Sequence, residues 1–219
     1  GYQSQGYSKA AYADTLAATL AYFLHQQGDA TGLLTFDETV REYLPARHRP
    51  GHLRHLMLAL EKPSGGASTD LVAPLKRIVE MIKRRALLVL ISDLLAPIDR
   101  LERSLAGLRA QGHEVLLFNI LDPAELKFDF RQAAMFRDLE SGRQMYIDPV
   151  AARVAYLDKL NGHLAEVART CDKLGIHYRR FGTDRPLELA LFDFLRTRSE
   201  RGKLTGVAHR RREMAASPA

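Results

Sequence analysis

Two spacings of apolar residues alternate along the chain. From Ala86 to Ile91 every residue is apolar, and the run stops at Ser92 and Asp93. It is short enough for a strand and apolar enough to be buried on both faces. "ATGLLTF" (30–36), "HEVLLFNILD" (113–122) and "IHYRRFG" (176–182) read as further strands, and "TVREYLPA" (39–46) as an edge strand pairing with the first and ended by Pro45. Between them the apolar positions fall three and four apart. Lys9 to Gln26 predicts a helix with Tyr12, Leu16, Leu20, Phe23 and Leu24 on one face, capped by Ser8 and stopped near Gly28. Helices are also expected over 51–62, from a start between Thr69 and Pro74 to about Arg85, over 97–111, over 149–174 and over 187–195. In 149–174 an apolar stripe runs Val150, Val154, Leu157, Leu160, Leu164, Val167, Cys171, Leu174, stopped by Gly175. "MFRDLESGRQMYID" breaks the alternation and reads as a hairpin turning at Ser141-Gly142.

Strands alternating with amphipathic helices predict an α/β fold, a largely parallel sheet with helices on both faces. In such sheets, sites form at the carboxyl ends of the strands. Asp93 lies at such an end, which explains a carboxylate after so apolar a run: it is placed for solvent, a cation or a proton.

Composition changes this picture little. With 219 residues, 46% hydrophobic and 26% charged, the chain suits one large or two small globular domains. No apolar run is long enough to cross a bilayer. The start has no signal-peptide pattern. Cys171 is the only cysteine, which fits a reducing compartment, and a cytoplasmic location is expected. The net charge of +6 sits mostly in the tail: from Arg196 onward seven basic residues face two acidic ones, giving +5. A solvated, disordered tail over 196–219 is therefore expected, rather than a nucleic-acid-binding face.

Candidate chemistry is sparse. His48, His52 and His55 have spacings of four and three but no nearby cysteine or carboxylate, and read as a solvated basic surface. Cys171 reads as a core residue. Asp122-Pro123 marks a strand end and turn. Gly65-Gly66 lacks the flanking residues of a phosphate loop. Asp37, Asp93 and Asp122 each end a strand, so an Asp-dependent hydrolase is one alternative to a binding module, with tail-mediated nucleic-acid binding the other, but no catalytic motif is complete.

The order of the polar loop "SGGASTD", a helix and then "LLVLISD" resembles the von Willebrand factor type A fold. More specifically, "SKAAYADTLAATLAYFLHQQGDATGLLTFD", "LLVLISDLL", "GHEVLLFNILDPAEL", "FRDLESGRQMYIDP" and "LGIHYRRFGTDRPLELALFDFL" resemble the bacterial family called domain of unknown function fifty-eight, over about residues 8–195. The resemblance implies a Rossmann-like von Willebrand A-like domain over 1–195, with a hairpin insertion at about 127–148. It implies a metal-ion-dependent adhesion site for a divalent cation such as Mg²⁺, with Thr69 and Asp93 as ligands, whose open position takes an acidic side chain of a partner. It implies a non-enzymatic protein-interaction role beside a MoxR-type AAA+ ATPase, in assembling or remodelling other proteins. The family's D-x-S-x-S run and its strand precede the stretch matching "GYQSQGYSK", so the expectation is a domain truncated at its N-terminus and lacking its first, central strand. Thr69 and Asp93 alone supply too few oxygens for the ion.

Overall fold

A computed structural model of the chain describes residues 8–37, 39–62, 71–128, 134–137, 144–147, 149–189, 191, 192 and 195. The elements follow in the order α1 (Lys9–Gln26), β1 (Thr31–Phe36), β2 (Val40–Arg47), α2 (His52–Leu60), α3 (Val72–Met81), β3 (Leu87–Ser92), α4 (Ile98–Ala110), β4 (Glu114–Leu121), α5 (Pro123–Lys127), β5 (Ala134–Arg137), β6 (Gln144–Ile147), α6 (Pro149–Leu174) and β7 (His177–Gly182). Two compact units divide the chain, Gly1–Asp184 and Arg185–Ala219. In the second, residues 187–189, 191, 192 and 195 are helical, matching the helix expected there.

The alternation is a mixed α/β architecture with a three-stranded parallel sheet in the order β3-β4-β7. Leu87 pairs with Glu114 and runs in register to Ser92 with Asn119, while Leu116 pairs with His177 and runs to Leu121 with Gly182. β4 is flanked on both sides, and its apolar residues are buried throughout. Among the described residues β3 pairs with β4 alone, and it is mostly half-buried. Side chains alternate across a strand. Val115 and Leu117 therefore join Leu90, α3, α4 and the C-terminal half of α6 in one core. Phe118 turns the other way, meeting Phe181 edge-on at 5.4 Å. α1 lies against β3 and β4 and buries Tyr12, Leu16 and Leu20.

Several boundaries differ from those the sequence predicts. The five expected strands do not form one sheet: β1 and β2 make a separate antiparallel pair, although Leu34 and Phe36 of β1 pack against the main core. Pro45 does not end β2, which continues to Arg47. The register slips between Leu33↔Leu44 and Thr31↔Arg47, and such a bulge tolerates a residue without an N–H. Gly32 makes that slip possible, because a Cβ there would lie 2.7 Å from the Ala46 nitrogen and 2.8 Å from the Leu44 oxygen. α3 stops at Met81, short of Arg85, where Ile82 turns extended. The turn expected at Asp122-Pro123 is the start of α5, with Asp122 as N-cap and Pro123 in its first turn. β5 and β6 form the expected antiparallel hairpin, and its turn lies outside the described residues.

The stripe on α6 is only half core. Val150 and Val154 are 76% and 69% exposed, whereas Leu160, Leu164, Val167 and Cys171 are buried. The reason is length. The 26 residues of α6 span about 39 Å, and the six of β7 only about 20 Å. The helix outruns the sheet it covers.

Candidate functional site at the carboxyl end of the sheet

β3 ends at Ser92, and the chain turns sharply over the sheet edge. The Ser92 hydroxyl accepts from the Leu94 N–H at 3.1 Å, and Asp93 Oδ1 accepts from the Leu95 N–H at 3.4 Å. Leu94 adopts a left-handed backbone, φ 56°, while its side chain is fully buried in the main core. Such a conformation costs a non-glycine residue about 1–2 kcal/mol. Burial of the leucine and two hydrogen bonds to its carbonyl hold it there. The Leu94 oxygen accepts from the Ala96 N–H at 2.8 Å and from His163 Nε2 of α6 at 2.9 Å. Leu95, next along, is 54% exposed.

β4 ends beside it. Asp122 is fully buried and caps α5, accepting from the Ala124 N–H at 2.8 Å. Glu125 closes the capping box, with Oε2 accepting from the Asp122 N–H at 2.9 Å. That leaves Oε1 of Glu125 and Oδ2 of Asp93. Both meet Nζ of Lys9, at 2.7 Å and 3.0 Å. Burial alone would pull the Lys9 ammonium down. The charges and hydrogen bonds of Asp93 and Glu125 more than offset it, and Lys9 lies above its ordinary value. Lys9 is the first residue of α1, and no acidic residue shares its first turn. A cation at a helix N-terminus opposes the helix dipole by about 0.3–1 kcal/mol. The ion pairs across the sheet end override that local preference.

Asp93 follows the end of β3, where the sequence expects it, but its partners were missed. Lys9 and Glu125 lie 84 and 116 positions from their contacts across the fold. The capping box of Glu125 was legible in "DPAE", and a lysine just after an N-cap serine was the one local sign of Lys9. Thr69 lies outside the described residues. Asp37 is engaged elsewhere, with Arg41 at 3.4 Å and the Thr39 N–H at 3.1 Å. Among the described residues, no three of His, Cys, Asp and Glu form a group able to hold a metal ion.

The histidines correct a second expectation. His52 is not a solvated base: it is buried, and its Nε2 donates to the Thr31 carbonyl at 2.8 Å, tying α2 to β1. His48 packs against His25 with the rings tilted by 37° and their centroids 4.5 Å apart. Cys171 is the core residue the stripe predicts. Burial, then the charge of Asp172, pushes its thiol up to about 12, so it stays protonated and unreactive at neutral pH. On the same face of the sheet, buried Asn119 donates from Nδ2 to the Tyr178 hydroxyl at 2.9 Å, and burial pushes that phenol up. No helix among the described residues is long and apolar enough to cross a membrane.

Residues 1–166 match the family described as "Protein of unknown function DUF58". The chain belongs to the DUF58 family. An uncharacterized protein of Mycobacterium tuberculosis (strain H37Rv) is 31% identical over 196 residues, covering 87% of this chain and 60% of that protein. One of Mycobacterium bovis matches to the same extent. An uncharacterized Mycobacterium avium protein is 30% identical over 162 residues, covering 73% of this chain and 94% of that protein. The DUF58 chain thus spans about 60% of the length of the first two relatives. No solved structure matches it.

Proposed function

We propose that this DUF58 chain is a protein-interaction module that presents the carboxyl end of its parallel sheet, centred on Asp93, to a protein partner. The observation that carries the reading is the convergence of Asp93 Oδ2 and Glu125 Oε1 on one cation, at the ends of two adjacent strands. The carboxylates are part-buried, oriented by backbone N–H groups and flanked by exposed Leu95, which is a preorganised recognition surface. Their oxygen chemistry suits a hard divalent ion such as Mg²⁺. Asp93 and Glu125 would hold it, with Thr69 as a further ligand and the remaining positions left to water and to groups outside the described residues. The ion would supply a positive centre for an acidic side chain of the partner. The family resemblance makes a MoxR-type AAA+ ATPase the partner to test, in a von Willebrand A-like, non-enzymatic role.

The test is binding of such an ATPase from the same genome to the wild-type chain and to Asp93→Ala, with Mg²⁺ and with chelator. Binding should fall at least tenfold on Asp93→Ala and on chelation. Equal binding by both proteins overturns the reading of this surface. Hydrolysis of a phosphate ester or peptide that disappears on Asp93→Ala overturns the non-enzymatic reading.

A further inference from the structure

In the second unit, the helical residues 187–189, 191, 192 and 195 carry apolar side chains on more than one side. Leu187, Leu191 and Leu195 recur every four positions and are half-buried. Leu189 and Phe192, three apart and so neighbours on another side, are 49% and 65% exposed. Seven of the nine residues over 187–195 are apolar, with Glu188 and Asp193 the exceptions. A helix this apolar is ordinarily covered all round, and two large apolar side chains together at the surface mark a place of contact. The residues that follow hold most of the net charge of the chain: seven basic and two acidic over 196–219, or +5 of +6.

We propose that residues 187–195 and the basic run after them form an interfacial anchor on an anionic lipid surface, with Leu189 and Phe192 entering the acyl boundary and the basic residues meeting the headgroups. This is membrane contact without a span, since no helix among the described residues is long and apolar enough to cross. Neither feature suffices alone: two side chains give weak, reversible burial, and charge alone attracts without inserting anything. Each basic residue close to an anionic leaflet raises binding about fivefold. That attraction fades over a Debye length of about 8 Å at physiological salt, so the charges must adjoin the apolar pair. They do, because Arg196 and Arg198 follow Leu195 at once. Charge also decides among occupants. A second copy would bring another +5 against the first, which opposes pairing through this face. Nucleic acid would answer the charges, but 196–219 contains no Phe, Tyr or Trp on which a base could stack, and Leu189 has nothing to offer a phosphate. A lipid surface uses both features. Glu188 and Asp193 hold the stretch at the interface, because sinking further would strip water from their carboxylates. The anchor shares no residue with the surface around Asp93.

The probe is a phosphatidylcholine vesicle, pure or with an equal part of phosphatidylglycerol, sedimented with the 219-residue chain. Wild type should bind the mixed vesicles about tenfold or more tighter than the neutral ones. Binding should fall by about tenfold or more in Leu189→Ser/Phe192→Ser and in Arg210→Gln/Arg211→Gln/Arg212→Gln. The first pair lies at the surface, so its replacement removes no core residue. The chain has no tryptophan, so Phe192→Trp supplies a single reporter. Its emission should move to the blue on mixed vesicles and stay in place with neutral ones. Equal binding to both vesicles, or binding that Leu189→Ser/Phe192→Ser leaves unchanged, overturns the proposal. An unmoved emission in vesicle-bound Phe192→Trp overturns it as well, since the side chain then stays in water. Tighter binding to single-stranded RNA than to mixed vesicles would assign the basic run to nucleic acid instead.

Discussion

At the scale of single residues, two opposing preferences often meet and their magnitudes decide the outcome. Leu94 is the clearest case. Glycine in its place would relieve a left-handed backbone worth about 1–2 kcal/mol, but would remove a fully buried leucine, worth about 2–5 kcal/mol even when an alanine remains. Leu94→Gly is therefore expected to destabilise the chain by about 1–4 kcal/mol, read as a lower denaturant midpoint. Asp14 opposes pH rather than geometry. Burial pushes its carboxyl up, with no compensating charge among the causes. A raised folded value means that its contribution is fully present below the unfolded carboxylate value and lost as pH rises through the folded one. Asp14→Asn should then melt higher than wild type at pH 7, by about 1 °C because solvent screens a half-exposed group. The advantage should vanish below about pH 4. A constant difference from pH 3 to 7 would show that the substitution acts through something other than ionisation. The position of Asp93 was legible because an apolar run that stops at a carboxylate marks where a buried strand leaves the sheet. Lys9 was not, because ion pairs across a fold leave no spacing in the sequence.

Elements are where the sequence speaks most clearly and also where its silence has physical causes. The strands at 31–36, 87–92, 114–121 and 177–182 sit within a residue of their expected spans because apolar runs between amphipathic helices admit few other packings. Pro45 misled for a definite reason. A proline rule presumes a regular ladder, and here Gly32 allows a bulge that needs no N–H from residue 45. Gly32→Ala should force the Ala46 and Leu44 backbone apart and cost about 1–3 kcal/mol. The β1–β2 amides should then lose hydrogen-exchange protection before those of β4. A substitution neutral in a thermal melt would mean the pair relaxes without loss. His52 misled because a histidine on a short basic helix reads as surface until the strand carbonyl it reaches, Thr31, is known. The periodicity of α6 was right in phase and wrong in extent: spacing reports which face of a helix is apolar, not how far the opposing sheet reaches.

For the whole molecule, the division into a parallel trio and a separate antiparallel pair was not visible in the sequence, since pairing partners are chosen across long separations. β4 is the trio's centre, and its two neighbours arrive at very different times. β3 precedes it, but β7 begins at His177, which is 177 − 121 = 56 positions after β4 ends. During synthesis at about 5–20 residues per second, this is an interval of about 3–11 s in which one side of the most deeply buried strand among the described residues lacks its β7 partner. Any other nascent strand could pair with it in that time. α6, made within the interval, covers a face of the sheet and not this edge, so it offers no substitute. Ribosome-bound chains stalled with residues up to about 170 outside the tunnel should be cut readily by protease within β4 and captured by a holdase chaperone. Chains extended past residue 182 should resist both. The parallel trio is thus completed only by β7, and a slow codon between α6 and β7 would lengthen its most vulnerable moment.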